Sequence, residues 1–238
     1  MPLSERVRVK LWGEFACFTR PELKVERVSY PVMTPSAARG ALEAILWKPE
    51  FRWVIEEIAV LKPVQYIGLR RNEVQAKANA REAERFAREG RDPRAFEPLI
   101  ADSRDATGIA TQRNTLALRD VAYLVTARAL VRDDAAADNP PRKYVEMFER
   151  RVERGQCFQQ PYLGCREFAA YFGPPGEGDT PLSESQDLGL MLYDIIFGKG
   201  EEPNVPVFFW ARIENGVLDA RPEVAIPDPD LRARLGVC

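Results

Sequence analysis

Arginine dominates the side chains that could do chemistry in this chain. Seven of the 34 basic residues are lysine and the rest are arginine, whose planar fork grips phosphate bidentately and stacks on bases. Arg70, Arg71, Lys77, Arg81, Arg85 and Arg88 crowd one short stretch. Such a run suits a nucleic-acid backbone. Glu82, Glu84 and Glu89 interleave with it, so a charged surface helix is the competing reading. A second patch, Gly155 to Phe168, combines glycines and glutamines with Phe158, Tyr162 and Arg166. These types let backbone approach RNA while rings stack on bases. A helix-to-strand connection with core aromatics has the same composition.

Other chemistry is excluded more firmly. The chain has no histidine, which removes the commonest general base and every histidine-containing metal site. Cys157 and Cys165 are spaced too widely for a cysteine-only zinc site. The carboxylate pairs Glu56-Glu57 and Asp133-Asp134 are neighbours in sequence, and in a strand neighbours point to opposite faces. Neither a metal centre nor a cofactor is expected.

Composition sets the frame. A chain of 238 residues with 45% hydrophobic content buries a real core as one large domain or two small ones. No apolar run approaches the ~20 residues of a membrane span. Charges begin at Glu5 and Arg6, and no leader pattern precedes them. Cytoplasmic residence and reduced thiols are the resulting expectations. The net charge of −2 carries no nucleic-acid signature, and a GC-rich genome would also favour arginine.

The elements that must position these residues follow from pattern. Val7 to Phe18 alternates as a first strand. Pro35 and Ser36 open a helix, with serine as the cap. Pro49 ends it. Phe51 to Val60 is a second strand. Residues 64–115 carry few large apolar side chains and read as a basic excursion from the sheet, mobile until bound. Within it Val74 to Gly90 is expected as a helix, broken by Asp92-Pro93 and Glu97-Pro98. Leu116 to Val131 reads as a long bent strand, Arg142 to Arg154 as an amphipathic helix, and Cys165 to Phe172 as a further strand. The resulting order, β, α, β, β, α, β, is ferredoxin-like, the topology of RNA-recognition motifs. Gly173-Pro174-Pro175-Gly176 is a linker. Beyond it, strands at Leu188–Phe197 and Val205–Ile213, with an Asn215-Gly216 turn, form a small antiparallel β subdomain. The tail from Arg221 reads as partly extended. The expected class is α+β, with a ferredoxin-like domain over 1–173 and the subdomain over 174–238.

Four segments carry a family likeness. The run from Ser29 to Pro63, with its Trp47-Lys48-Pro49 motif, resembles the CRISPR-associated RAMP proteins of type I-C systems (Cas family five, subtype d). So do Leu11-Trp12-Gly13 with Phe15 to Pro21, and Arg70-Arg71-Asn72-Glu73-Val74. Gly155 to Phe168 resembles the loop and final strand of the same domain. The likeness implies cutting of CRISPR precursor RNA at its repeats. It also implies retention of the guide's 5′ handle alongside the other effector subunits. Processing members use a tyrosine, a lysine and a histidine. Here the matched positions hold Leu46, Arg113 and Asn114.

Scission would then rest on in-line attack by the RNA's own 2′-hydroxyl, with cations at the phosphorane. Arg113 and Asn114 are the first catalytic candidates, with Tyr30 and Lys48 next. Gln112 orients phosphate. Arg20, Arg39, Arg70, Arg71, Arg81, Arg85, Phe158, Tyr162 and Arg166 complete the RNA-binding set. Double-stranded DNA is a further candidate partner. A non-catalytic RNA-binding subunit is the rival reading, and a metal-dependent nuclease acting on DNA is a third.

Overall fold

A computed structural model describes residues 1–23, 25–74, 80–90, 110–198, 200 and 202–237. Lys77 and the breaks at Asp92-Pro93 and Glu97-Pro98 lie outside the described residues. The chain forms two compact units: residues 1–67 with 116–238, and residues 68–115.

The larger unit is a curled sheet with helices packed on it. Its strands are β1 (Val7–Ala16), β2 (Arg27–Val28), β3 (Phe51–Val60), much of β5 (Ala110–Val131), β6 (Tyr171–Gly173), β7 (Gln186–Ile196), β8 (Val205–Glu214) and β9 (Val217–Asp219). The main path runs β6-β1-β5-β3-β9-β8-β7, and β2 pairs with β5. β5 runs antiparallel to β1 on one side and to β3 on the other. Val7, Val9 and Leu11 are buried on alternate positions of β1, as a period of two demands.

Two helices cover this sheet. α1 (Pro35–Ile45) buries Ala38, Ala41, Leu42 and Ile45. α4 (Pro141–Glu153) buries Tyr144, Val145, Phe148 and Val152, the apolar side read from its sequence. Phe51 and Tyr144 stand 4.5 Å apart between ring centroids, and Trp53 and Phe148 4.7 Å. Truncating a buried ring of this kind costs ~3–5 kcal/mol. The Trp53 indole N–H also donates to the Leu46 carbonyl at 2.9 Å. The Asn-Gly turn is present: Asn215 and Gly216 both have positive φ and join β8 to β9.

The structure corrects several expectations. The cap of α1 is Thr34, not Ser36; its hydroxyl accepts from Ala37 N–H at 3.3 Å, and Pro35 takes the first helical position. Cys165 to Phe172 is not a strand. Only Tyr171–Gly173 pairs with β1, because residues 163–168 close a turn through Leu163 N–H to Phe168 O and Phe168 N–H to Cys165 O. The tail is helical at α5 (Pro222–Ala225) and α6 (Pro229–Leu235). Each starts on a proline, whose φ suits a first turn, and Asp228 caps the second. Thr19 to Val32 contains the short strand β2 as well as loop.

The smaller unit is more regular than its composition suggests. β4 (Tyr66–Val74) pairs with β5, which begins at Ala110 rather than Leu116. The expected helix is α2, Ala80–Arg88.

Candidate nucleic-acid interface

The strands of the smaller unit gather five of the nominated residues. Arg70 and Arg71 lie on β4, and Gln112, Arg113 and Asn114 on β5. Glu73 joins two of them: its carboxylate takes Arg71 Nη2 at 2.9 Å and Arg113 Nε at 3.3 Å. Gln112 Nε2 donates to Asn72 Oδ1 at 3.2 Å. Strand alternation divides the group between two faces. Arg71, Glu73 and Arg113 are half-buried on one, while Arg70, Asn72, Gln112 and Asn114 are exposed on the other. Arg113 and its neighbours Gln112 and Asn114 therefore point in opposite directions. Arg81 and Arg85 are exposed one turn apart on α2, with Arg85 Nε 3.9 Å from Glu89.

In the larger unit the nominated residues are dispersed. Tyr30 is 1% exposed. Its hydroxyl accepts from Leu192 N–H at 3.2 Å, and burial pushes its pKa above the ordinary value. Arg20 lies 4.6 Å above the Tyr30 ring and 3.8 Å from Glu22. Arg39 faces inward: Nη2 meets Asp194 at 2.7 Å and Nη1 meets Glu43 at 3.1 Å. Arg52 takes the second Asp194 oxygen at 2.7 Å. Lys48 is exposed in the turn after α1, and the neighbouring Leu46 is fully buried.

The Gly155–Phe168 loop is anchored on α1. Phe158 and Gln159 N–H both donate to the Ala44 carbonyl, at 2.9 and 3.1 Å, while the Phe158 ring is 76% exposed. Arg166 is exposed. Tyr162 lines a cleft of about 270 Å³ with Thr19, Thr34, Ser36, Gly40 and Leu192. Gly164 is obligatory beneath it. Its φ is +84°, and a Cβ there would sit 2.1 Å from the Cys17 carbonyl oxygen. Beside this close approach, Arg27 Nη1 donates to Cys165 Sγ at 3.1 Å. The Cys17 thiol and Arg27 hold the Cys165 pKa below its ordinary value, and that of Cys17 is raised in turn.

Among the described residues, no group of three or more cysteines and carboxylates is placed to hold a metal ion. No described helix is long and apolar enough to cross a membrane.

Comparison with known proteins bears on the whole chain. Residues 7–221 match the Cas5d model, described as CRISPR-associated protein (Cas5). A protein of Mannheimia succiniciproducens named CRISPR pre-crRNA endoribonuclease Cas5d is 46% identical, covering 92% of this chain and 96% of its own length. A protein of Thermus thermophilus with the same name is also 46% identical, covering 92% of each chain. Two solved structures share the fold at 22% identity and a TM-score of 0.62. One is a functionally uncharacterized protein of Streptococcus mutans, with 94% of this chain and 95% of that chain covered. The other is a CRISPR-associated protein, with 92% and 93% covered. By the extent of these matches and the mixed α/β fold they share, the chain belongs to the Cas5d family of CRISPR-associated proteins.

Proposed function

We propose that this chain is a CRISPR repeat endoribonuclease that cuts precursor RNA at its repeats. It then stays on the guide's 5′ handle within the type I-C interference complex. The observation that carries the reading is 46% identity, over 92% of the chain, to two proteins named as pre-crRNA endoribonucleases. Five phosphate- and base-seeking side chains on the paired strands β4 and β5 support it physically.

The scission runs through the substrate. O2′ attacks phosphorus and the bond to O5′ breaks. The O2′ proton passes to solvent and the leaving oxygen takes one up. The products are a 2′,3′-cyclic phosphate and a 5′-hydroxyl. Positioning supplies much of the acceleration. Arg113, with Arg71 beside it, stabilises the phosphorane charge. Gln112, Asn114 and Arg70, on the other face of the strand pair, hold a separate stretch of the RNA backbone. Lys48 is the next catalytic candidate because it is exposed. Tyr30 ranks below it because its hydroxyl is buried and bonded.

The fold is read on the same basis. The order β6-β1-β5-β3, with α1 and α4 as the two connecting helices, supports a ferredoxin-like domain to about residue 173. The β7–β8 hairpin supports a small antiparallel β subdomain after it, joined to the same sheet through β9.

One observation favours a second reading, a non-catalytic RNA-binding subunit. The matched catalytic tyrosine is Leu46, which is fully buried. Incubating the protein with its own repeat RNA separates the two. Cleavage in EDTA with cyclic-phosphate ends is the expected result. Tight binding without cleavage would leave the binding subunit, and a strict Mg²⁺ requirement would overturn the 2′-hydroxyl route.

A further inference from the structure

We propose that Trp12 and Tyr171 form a stacking site for one unpaired base of the bound RNA, with a preference for bases carrying an exocyclic amine. The proposal rests on the RNA-binding reading above and extends it to residues outside the nominated set.

The site is built on strands. Trp12 of β1 and Tyr171 of β6 are direct cross-strand partners. Their ring centroids lie 6.0 Å apart and their planes 27° apart, a stacked arrangement. Trp12 alternates with the buried Leu11 and Gly13, so it lies on the sheet face away from them. Tyr171 is 62% exposed. An aromatic held rigidly by a strand and left bare is costly to solvate and ready to stack. The two rings already touch, so an incoming base adds to the outer face of Tyr171. Base–aromatic stacking needs only a π-face, which every base has.

The surroundings say what kind of ligand fits. A cleft of about 440 Å³ opens beside the rings, lined by Trp12, Glu14, Phe15, Arg119, Asp120 and Tyr171. Its size suits a small planar ligand. Lys10 Nζ lies 5.6 Å from the centre of the Trp12 ring. Arg119 is exposed, its Nε donates to Gln65 Oε1 at 3.0 Å, and among the described residues no carboxylate pairs with it. It is the natural contact for the phosphate of the stacked nucleotide. Glu14 and Asp120 repel phosphate from the rest of the wall. Asp120 is already held by Lys62 at 2.6 Å, whereas Glu14 is exposed. A carboxylate accepts from the exocyclic amine of cytosine, adenine or guanine, whereas uracil presents it only an N3–H flanked by two carbonyl oxygens that repel it.

The test uses the full chain with fluorescein-labelled repeat RNA and with oligocytidine and oligouridine of equal length, read by anisotropy. Tyr171→Ala is expected to weaken repeat binding by about five- to 150-fold, the range for one lost stack. Tyr171→Phe is expected to restore it, because stacking needs the ring and not the hydroxyl. Glu14→Ala is expected to erase the preference for oligocytidine over oligouridine. Circular dichroism confirms that each variant is folded. Wild-type affinity in a folded Tyr171→Ala would overturn the proposal and leave the RNA reading standing. Failure of Tyr171→Phe to restore binding, or no preference between the oligomers in the wild type, would overturn it as stated. A wild-type protein that binds no RNA would remove the broader reading and this site with it.

Discussion

Arg113 offers the sharpest test of the catalytic reading, because its structural role is small enough to be separated from a chemical one. It is 30% exposed, and its contact with Glu73 is a 3.3 Å ion pair that Arg71 already shares at 2.9 Å. An exposed or half-exposed pair of this kind contributes ~0.2–1 kcal/mol. In a chain of this size that is a melting shift of at most about 4 °C. Losing one preorganised charge at a phosphorane costs ~10²–10³ in rate. The two magnitudes do not overlap. Arg113→Ala is therefore expected to melt within about 4 °C of wild type and to cut repeat RNA at least ~10²-fold more slowly in single-turnover assays. Its RNA affinity should fall far less, since the loss acts on the transition state. Glu73→Gln is the complementary change. It releases both guanidiniums from their shared carboxylate, so RNA should bind more tightly, with a steeper salt dependence. Equal losses of affinity and rate in Arg113→Ala would reduce it to a simple phosphate contact. An unchanged rate would refute its role.

Other perturbations follow from the same structure. Asp194→Ala removes a carboxylate that is 6% exposed, leaving Arg52 without this partner and Arg39 with Glu43; a loss of ~3–5 kcal/mol should lower the melting temperature by about 6–20 °C, and a near-unchanged melting curve would show that the network is dispensable. Single alanine changes at Arg81 and Arg85 should each reduce the log–log salt slope of RNA binding by about one unit; a double variant with the wild-type slope would make both plain surface charges. Lys10, aided by the Gly176 N–H, depresses the Asp179 pKa below its ordinary 3.8. Its stabilisation is therefore complete above pH 3.8 and fades as pH falls through the depressed value. Denaturation curves of wild type and Asp179→Asn should accordingly converge in strong acid, and parallel curves at all pH values would exclude the linkage.

What could be read from the chain beforehand was whatever depends on near neighbours. The apolar side of α4, the alternation in β1 and the Asn215-Gly216 turn each follow from a few consecutive residues, and each was legible. The tail from Arg221, expected as partly extended, is helical from Pro222 and from Pro229, because proline opens a helix as readily as it ends one. The deeper misses concern partners far away in sequence. Nothing near Arg39 shows that Asp194, 155 positions on, will turn it inward. Nothing near Tyr30 shows that the Leu192 amide will occupy its hydroxyl. Residues 64–115 hid β4 and the start of β5 because exposed strands lack the apolar alternation that marks a strand packed on a core. The β1–β6 pairing of Trp12 with Tyr171 is equally non-local. Its one sequence signal was the alternation that sets Lys10, Trp12 and Glu14 on a common face.

The end of α1 has a consequence on another timescale. Its last two carbonyls and that of its cap residue are each claimed by a different part of the chain: Ala44 by Phe158 and Gln159, Ile45 by Arg151, and Leu46 by Trp53. A surface loop with bare aromatic and polar side chains ordinarily exchanges its amide hydrogens quickly. Here the Phe158 and Gln159 amides open only if the helix terminus gives up its partners. In deuterium they should be retained far longer than the exposure of the Phe158 ring suggests. The loop therefore meets a partner already shaped, with little ordering entropy left to lose on contact.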